Sequence, residues 1–373
     1  MQLVLLKENL KETLKITVKC CGKSVSFPIL ENIYLETKEN LLELKATDLE
    51  LGIYNYVLSK IQQKGEVLVS GNLLYQLVNS IKEDVIEIKK EKEKLIIQGK
   101  NFSTELLTQP TKDFPEIPKP KDTKKIKVSG IEFCQALSKV VQIAIPSISR
   151  PEISGVYLKI TKDKIFCVAT DSFRLAEKTI FQKFDIEEEY SFILPQRGVR
   201  EIINTFQNTE NLFLHLLPNQ IFFESYFEEI DHPKTIFTLK LIDGEFPDYK
   251  EIIPKEFKTK AIIKKEDFLE QLKLALVFGG KNNEVKLKFS PKESKIEIFS
   301  TDQKIGQSKS YLEAEISGKD LEIVFNAKFL IDGVKGIDSE KLTFSLIDEE
   351  NPAMIKPHEE KEDYFYILMP IKT

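Results

Sequence analysis

Three aspartates in matching settings are the first residues in this sequence whose chemistry could matter. They occur in Ala46-Thr47-Asp48, Ala169-Thr170-Asp171 and Ser300-Thr301-Asp302, each after a β-rich run. Carboxylates brought together could hold a metal ion or serve as a general acid and base. Equivalent positions in repeated domains lie far apart, so we expect each aspartate to close a turn by bonding its own backbone. A metal-dependent phosphodiesterase that uses the Asp171 region stays open as the alternative hypothesis.

Other catalytic signatures are missing from the sequence. The three histidines, His215, His232 and His358, are far apart and follow no zinc-ligand spacing. Gly279-Gly280-Lys281 lacks the upstream glycine and the following Ser or Thr of a phosphate-binding loop, and it predicts a helix end instead. No active site is therefore visible in the sequence, and we expect no catalytic residues, no metal and no cofactor.

Composition predicts a globular protein of two or three domains. The chain has 373 residues, of which 42% are hydrophobic and 30% charged, and no apolar run approaches the ~20 residues that span a bilayer. We find no leader after Met1, and the four cysteines, which are Cys20, Cys21, Cys134 and Cys167, form no C-x-x-C motif. We expect reduced thiols, a cytoplasmic location and no membrane partner.

The cations are distributed unevenly, which suggests one basic surface. A net charge of −5 argues against a protein that coats nucleic acid by bulk charge. Lys7, Lys11, Lys15 and Lys19 nevertheless recur every four residues and would share one helix face. Such a face suits contact with a phosphate backbone without base readout. Further cations fall on the equivalent helices of the other repeats: Lys139, Arg197, Arg200, Lys265, Lys273, Lys328 and Lys335.

A threefold repeat organises the elements that carry these residues. The aspartates Asp48 and Asp302 are 254 residues apart, the helix positions Leu74 and Leu330 are 256 apart, and Pro115 and Pro370 are 255 apart. Three independent features that agree within two residues indicate copies of one domain. Each copy has a downstream amphipathic helix, with apolar residues at i, i+3, i+4 and i+7. These are Leu74, Leu77, Val78 and Ile81; Val199, Ile202, Ile203 and Phe206; and Leu330, Gly333, Val334 and Ile337.

Each copy is also predicted to open with a helix. The apolar positions are Leu6, Leu10 and Leu14 in the first, Phe133, Ala136, Leu137, Val140, Val141 and Ala144 in the second, and Phe268, Leu269, Leu272 and Leu276 in the third. The fold class is α+β, with two helices packed on antiparallel sheet in each copy. Prolines at the joints place the domains at residues 1–122, 123–255 and 256–373.

Several motifs, in order along the chain, resemble one known family. They are Phe27-Pro28-Ile29-Leu30, Ala46-Thr47-Asp48-Leu49-Glu50, Asp113-Phe114-Pro115, Ala169 to Ala176, Asp243 to Tyr249 and Met369-Pro370-Ile371-Lys372. With three repeats and this length, the chain resembles the bacterial DNA polymerase III beta subunit, the sliding clamp. The resemblance implies a protein that is not an enzyme. It implies a head-to-tail homodimer that closes a six-domain ring around duplex DNA, whatever the DNA sequence. A repeat scaffold unrelated to DNA is a further alternative.

The resemblance also implies partners and sites. The ring would tether the replicative polymerase and serve as a docking hub for the polymerase subunit, the clamp loader and other proteins with clamp-binding motifs. The implied partner-peptide pocket accepts apolar anchors, with Arg174 as its polar rim and Phe173 making that rim more apolar. Its lining would be Ile153, Thr170, Ser172, Phe173, Arg174, Leu175, Pro247, Ile252, Ile367, Met369, Pro370 and Ile371.

Two other surfaces complete the set of candidate residues. Loop positions Lys23, Ser24 and Arg150 are implied to face DNA, and they join cations from the helices. The DNA-facing candidates are then Lys11, Lys15, Lys23, Ser24, Lys139, Arg150, Arg197, Arg200, Lys273 and Lys328. Leu276 and Val277, at the end of a predicted helix, are candidates for an apolar dimer interface.

Overall fold

Six α-helices lie in the part of the chain that the computed structural model describes, which is residues 1–23, 25–121, 124–358 and 363–372. Their apolar spacing buries one side of each helix, as Leu10 and Leu14 of the first helix show. The repeats contribute two each: α1 (Lys7–Thr17) and α2 (Gly71–Ser80), α3 (Gly130–Val140) and α4 (Gln196–Phe206), α5 (Lys265–Leu276) and α6 (Ala327–Lys335).

Strands fill most of the remaining chain. The first repeat contains β1 (Gln2–Leu6), β2 (Asn32–Lys38), β3 (Leu41–Thr47), β4 (Leu51–Leu58), β5 (Lys60–Gln63), β6 (Glu66–Ser70), β7 (Val85–Glu91), β8 (Lys94–Gln98) and β9 (Ser103–Leu107). The second contains β10 (Lys125–Ser129), β11 (Gly155–Ile160), β12 (Lys164–Thr170), β13 (Arg174–Phe181), β14 (Tyr190–Pro195), β15 (Asn211–Leu216), β16 (Gln220–Tyr226) and β17 (Pro233–Lys240). The third contains β18 (Thr259–Lys264), β19 (Glu284–Ser290), β20 (Lys295–Asp302), β21 (Gly306–Glu313), β22 (Glu315–Gly318), β23 (Leu321–Asn326), β24 (Lys341–Leu346), β25 (Ala353–Pro357) and β26 (Tyr364–Leu368).

The prediction that each repeat opens with a helix was wrong in detail. A short strand comes first in every copy, namely β1, β10 and β18. Leu3 and Leu5 are buried while Leu6 is 53% exposed, so burial alternates with the period of a strand up to the helix start. Leu6 therefore belongs to the end of β1 and not to the apolar face of α1.

One compact unit consists of Met1–Gln135 together with Arg197–Leu241. Its larger sheet has eight strands in the order β10-β15-β16-β17-β4-β3-β2-β6, and all pairs are antiparallel. Strands of the first and second repeats meet where β4 pairs with β17, with Asn55 opposite Thr235. A second sheet of five strands has the order β5-β1-β7-β8-β9.

The other compact unit consists of Ala136–Gln196 together with Ile242–Thr373. Its larger sheet has nine strands in the order β14-β11-β12-β13-β26-β25-β24-β18-β22, and β13 of the second repeat pairs with β26 of the third. A smaller sheet has four strands in the order β21-β20-β19-β23. Antiparallel sheets with two helices per repeat confirm the predicted α+β class.

The glycine that interrupts the apolar spacing of α6 has a packing reason. A Cβ atom at Gly333 would overlap the ring of Tyr366, which is fully buried on β26. Because the helix must approach this ring closely, the smallest residue takes the position where an apolar side chain is expected. The four cysteines are free and buried. No helix in the described residues is long and apolar enough to cross a bilayer.

Candidate functional site

The turn between β12 and β13 is built by its own side chains. The Asp171 Oδ1 atom accepts hydrogen bonds from the backbone N–H groups of Phe173 and Arg174 at 3.0 and 3.1 Å. The Thr170 hydroxyl donates to the Arg174 carbonyl oxygen at 2.8 Å, and Ser172 adopts a left-handed φ of 78°. This tight turn leaves the Phe173 ring 62% exposed.

The matching turn of the first repeat has the same geometry. Asp48 Oδ1 accepts from Glu50 N and Leu51 N, and Leu49 has a φ of 78°. In the third repeat, Asp302 Oδ1 accepts from Lys304 N at 2.8 Å. These bonds confirm the prediction that the repeated aspartates close turns. Among the described residues, no group of three or more His, Cys, Asp or Glu side chains is placed to hold a metal ion.

Arg174 is the buried charge of this region. Its Nε and Nη1 atoms donate to Asp171 Oδ2 at 2.8 Å and to Asp332 Oδ2 of α6 at 2.7 Å. The guanidinium carbon lies 4.1 Å from the centre of the Phe329 ring, and the residue is only 6% exposed. Burial alone would lower the pKa of Arg174, but Tyr366 and the two carboxylates raise it, so the guanidinium stays charged. Arg174 is therefore buried, in contrast to its expected place on a polar rim.

Two further elements complete the surroundings of the turn. The Met369 N–H donates to the Phe173 carbonyl oxygen at 2.8 Å, which fixes the chain after β26 against the turn. A short 3-10 turn, Tyr249–Ile252, supplies another wall and leaves Ile252 51% exposed. The Tyr249 hydroxyl anchors it by donating to Glu177 Oε2 at 2.5 Å. Burial, followed by the Glu177 charge and hydrogen bond, raises the pKa of Tyr249.

These elements enclose a cavity of about 460 Å³. Its apolar walls come from two strands, β13 and β26, and from the loops and turns beside them, and few charged groups line it. Such a concave, mostly apolar site is the usual form of a small-ligand or peptide pocket. Eight of the residues that sequence assigned to the pocket line it together: Thr170, Ser172, Phe173, Arg174, Leu175, Ile252, Ile367 and Met369.

The other four assigned residues lie outside this lining. Ile153 is buried in an apolar cluster with Leu175 and Ile367, and Pro247 is exposed. Pro370 is buried, and the Ile371 N–H donates to Val324 O of β23 at 2.8 Å.

Six lining residues were missed by sequence reasoning. The run after Ile252 is apolar and could have suggested two of them, whereas the loop between β24 and β25 has no motif that points to the cavity. The missed residues are Glu251, Ile253, Pro254, Ile347, Asn351 and Pro352.

The cations assigned to a DNA-facing surface differ in their ion pairs. Lys139 forms an ion pair with Asp338, Arg197 with Asp48, and Lys11 with Glu8. Arg150 pairs with Glu152 and donates to the Ser172 hydroxyl at 2.7 Å, so it lies beside the turn of the cavity. Within the described residues, no carboxylate lies at ion-pair distance from the exposed Lys15, Lys23, Arg200, Lys273 and Lys328. Ser24 lies outside the described residues.

The residues assigned to a dimer interface lie at the end of α5. Leu276 is half-buried and Val277 is 63% exposed. Two sheet edges carry exposed apolar side chains as well, with Leu107 on β9 at 75% and Tyr311 on β21 at 59%. Unpaired edges with apolar side chains are typical sites of strand pairing between chains.

Comparison with known proteins gives matches over nearly the whole chain. The sequence matches the DNA polymerase III beta subunit N-terminal domain over residues 1–118, its central domain over 127–248 and its C-terminal domain over 250–372. A beta sliding clamp of Rickettsia felis is 28% identical and one of Bacillus subtilis is 24% identical, each with 100% of both chains covered.

Solved structures agree with these sequence matches. The DNA polymerase III beta subunit of Thermotoga maritima is 26% identical, with a TM-score of 0.91 over 100% of this chain and 99% of that one. A sliding clamp of Pseudomonas aeruginosa bound to griselimycin is 22% identical, with a TM-score of 0.92 and full coverage of both chains, and so shares the fold.

Proposed function

The chain belongs to the family of bacterial DNA polymerase III beta subunits, the beta sliding clamps, and we propose that two copies close head to tail into a six-domain ring around duplex DNA. A clamp of this family is a non-catalytic processivity factor, and this is the function of the chain. We found no support for the metal-dependent phosphodiesterase, because the Asp171 oxygens are engaged by backbone amides and Arg174.

The strand count of the four sheets carries the ring proposal. Two sheets are composite, with eight and nine strands, each joining strands of successive repeats. The remaining sheets have five strands in the first repeat and four in the third, and β9 and β21 are each one of the two edge strands of their sheet. Pairing these edges between two chains would make a third composite sheet of the same size and remove both exposed edges. Head-to-tail pairing at both junctions closes the ring.

The repeated turns support the same arrangement. In one unit, Asp48 of the first repeat forms an ion pair with Arg197 on the second helix of the next repeat. In the other unit, the Asp171 turn is linked through Arg174 to Asp332 on the second helix of the third repeat. The Asp302 turn belongs to the third repeat, which has no further repeat after it in the chain, so its equivalent neighbour would be α2 of another copy. Leu276 and Val277 would complete the apolar part of this junction.

The cavity beside the middle turn is the proposed docking site for partner peptides. Eight sequence-assigned residues from separated segments line one concavity, and its walls are largely apolar. The polymerase subunit, the clamp loader and other clamp-binding proteins would dock there through short linear segments with apolar anchors. We further propose domain limits at residues 1–122, 123–255 and 256–373, and a cytoplasmic location consistent with four free cysteines.

Ring closure is tested by solution mass and by retention on DNA. We expect sedimentation equilibrium to give about twice 43.0 kDa at micromolar concentration. A clamp loaded by a clamp loader and ATP should stay on a nicked circular plasmid and leave once the plasmid is cut into a linear form, because the tether is topological. A stable monomer, or retention that is the same on linear DNA, would contradict the ring.

A further inference from the structure

We infer that the cavity beside the Asp171 turn selects linear peptides that carry a basic residue next to their apolar anchors, and that Glu251 is the specificity-determining residue. The inference rests on the proposed role of this cavity as a peptide site. The inference adds the charge that a partner peptide should carry, which does not follow from the fold or from the apolar lining alone.

The cavity has an unbalanced set of charges. Of the described residues that line it, only Arg174 and Glu251 are charged. Arg174 is already bonded to Asp171 at 2.8 Å and to Asp332 at 2.7 Å. The Arg174 guanidinium together with the Asp171 and Asp332 carboxylates carries a net charge of −1. The Glu251 carboxylate adds a second negative charge. An incoming carboxylate would therefore meet no available cation in this lining.

Glu251, by contrast, is free to receive a cation. It is exposed on the 3-10 turn Tyr249–Ile252, and no described Lys or Arg lies within ion-pair distance of it. The neighbouring Lys250 places its ammonium 5.5 Å from the Phe166 ring, outside the lining. Arg150 is paired with Glu152 at 3.3 Å. Of these two cations, Arg150 is therefore paired with a carboxylate, and Lys250 lies over the Phe166 ring.

The uncharged polar groups of the lining are also engaged. The Ser172 hydroxyl accepts from Arg150 Nη1 at 2.7 Å, and the Asn351 side-chain amide donates to Asp348 Oδ1 at 2.8 Å. Apolar anchors can pack on Leu175 and Ile367, and they would bring their neighbouring residue within reach of the Glu251 carboxylate. Charge complementarity at such a rim sets partner choice more than total affinity.

The test uses fluorescein-labelled peptides with Leu and Phe anchors and one variable residue, placed before, between or after the anchors. Fluorescence anisotropy with the full chain compares Lys, Gln and Glu at the variable position. We expect Lys to bind about three- to tenfold more tightly than Glu in at least one placement, and no placement to favour Glu. The preference should shrink at high salt, because an exposed pair is screened.

Variants assign the effect to one side chain. Glu251→Gln should bring the Lys and Glu peptides to about equal affinity, and Glu251→Lys should reverse their order. Glu256→Lys makes the same change in net charge on an exposed residue outside the lining, and it should leave the order unchanged. Equal binding of Lys and Glu peptides by the unmodified chain, or an order unaffected by Glu251→Lys, would overturn the inference.

A failure of the proposed site itself would look different. In that case none of the peptides would bind, or all would bind equally well to an Ile252→Asp variant, which places a charge on the exposed apolar wall. Loss of binding by Ile252→Asp, together with a reversed order for Glu251→Lys, would support both the site and its charge preference.

Discussion

At the residue scale, Arg174 stabilises the place where the second and third repeats meet beside the cavity. Replacing it by Met would leave the carboxylates of Asp171 and Asp332 without their shared partner in a buried setting. We expect Arg174→Met to lower the free energy of unfolding by about 3–5 kcal/mol, measured by urea titration followed by circular dichroism. Arg150→Met removes an exposed pair with Glu152 and should cost under ~1 kcal/mol. Equal losses in the two variants would show that burial of the charge is unimportant.

Glu43 gives a second prediction at this scale, on the dependence of stability on pH. Burial alone would raise its pKa, but hydrogen bonds from Tyr56 and Lys45 and the charge of Lys119 hold the pKa below its usual 4.5. Because the folded state has the lower pKa, this carboxylate stabilises the fold above about pH 4.5, and the contribution is lost as pH falls through the lowered value. We expect Glu43→Gln to be about 1–3 kcal/mol less stable at neutral pH, with a difference that narrows on acidification.

The matched control for Glu43 is Glu39→Gln. Glu39 is exposed, and no described cation lies at ion-pair distance from it. Unfolding of this variant, followed across the same pH range, should parallel that of the unmodified chain. A constant difference between the unmodified chain and Glu43→Gln from neutral to acidic pH would contradict the assignment.

At the element scale, the free end of the four-stranded sheet and the end of α5 should form one side of the dimer junction. Val277→Asp places a charge on a side chain that is 63% exposed in the single chain. We expect this variant to give the mass of one chain, 43.0 kDa, by light scattering, with an unchanged circular dichroism spectrum. Phe181→Asp changes a side chain that is 60% exposed at the end of β13, and it should remain dimeric. Dissociation of both variants would indicate a general effect of added charge.

Sequence periodicity predicted the helices well and the strands less well. Leu74 and Val78, and likewise Val199 and Ile202, follow the 3.6-residue period of a helix and are buried on its inner face. This period is readily distinguished from the two-residue period of a strand. The strand that opens each repeat was missed, since five residues such as Gln2–Leu6 can be read as the start of the helix that follows. Sequence periodicity also could not explain why a glycine occupies position 333 of α6. The glycine is required by the close Tyr366 ring, which lies on a strand distant in the sequence.

At the scale of the whole molecule, the repeats could be recognised from sequence, but their joining could not. The pairing of β4 with β17 and of β13 with β26 brings together segments far apart in the chain, and antiparallel partners have no signature in a single sequence. The cavity could likewise be predicted only in part, because segments distant in the sequence form its lining. Its turn residues were identified by motif, whereas Glu251 and Asn351 depend on how distant loops fold beside that turn.

The DNA-facing surface is also a property of the whole molecule, because many weak phosphate contacts would act together. Each neutralised phosphate contributes about 0.9 to the slope of log affinity against log salt for duplex DNA. We expect Lys15→Ala, Arg200→Ala, Lys273→Ala and Lys328→Ala each to reduce this slope by about 0.9 or less, measured by anisotropy with a short labelled duplex. Their cations are exposed and, among the described residues, have no carboxylate at ion-pair distance.

Lys139→Ala is the matched control for those four variants. Unlike the four cations that they replace, Lys139 forms an ion pair in the structure. The Lys139 ammonium is bonded to Asp338, and its side chain is 18% exposed. A phosphate would have to displace this carboxylate, so Lys139→Ala should change the slope least, although sequence placed Lys139 with the other DNA-facing cations. Because backbone contact carries no base readout, the slopes should be the same for duplexes of different sequence. A sequence preference that survives at high salt, or a loss for Lys139→Ala as large as that for Lys328→Ala, would contradict a surface of exposed, unpaired cations.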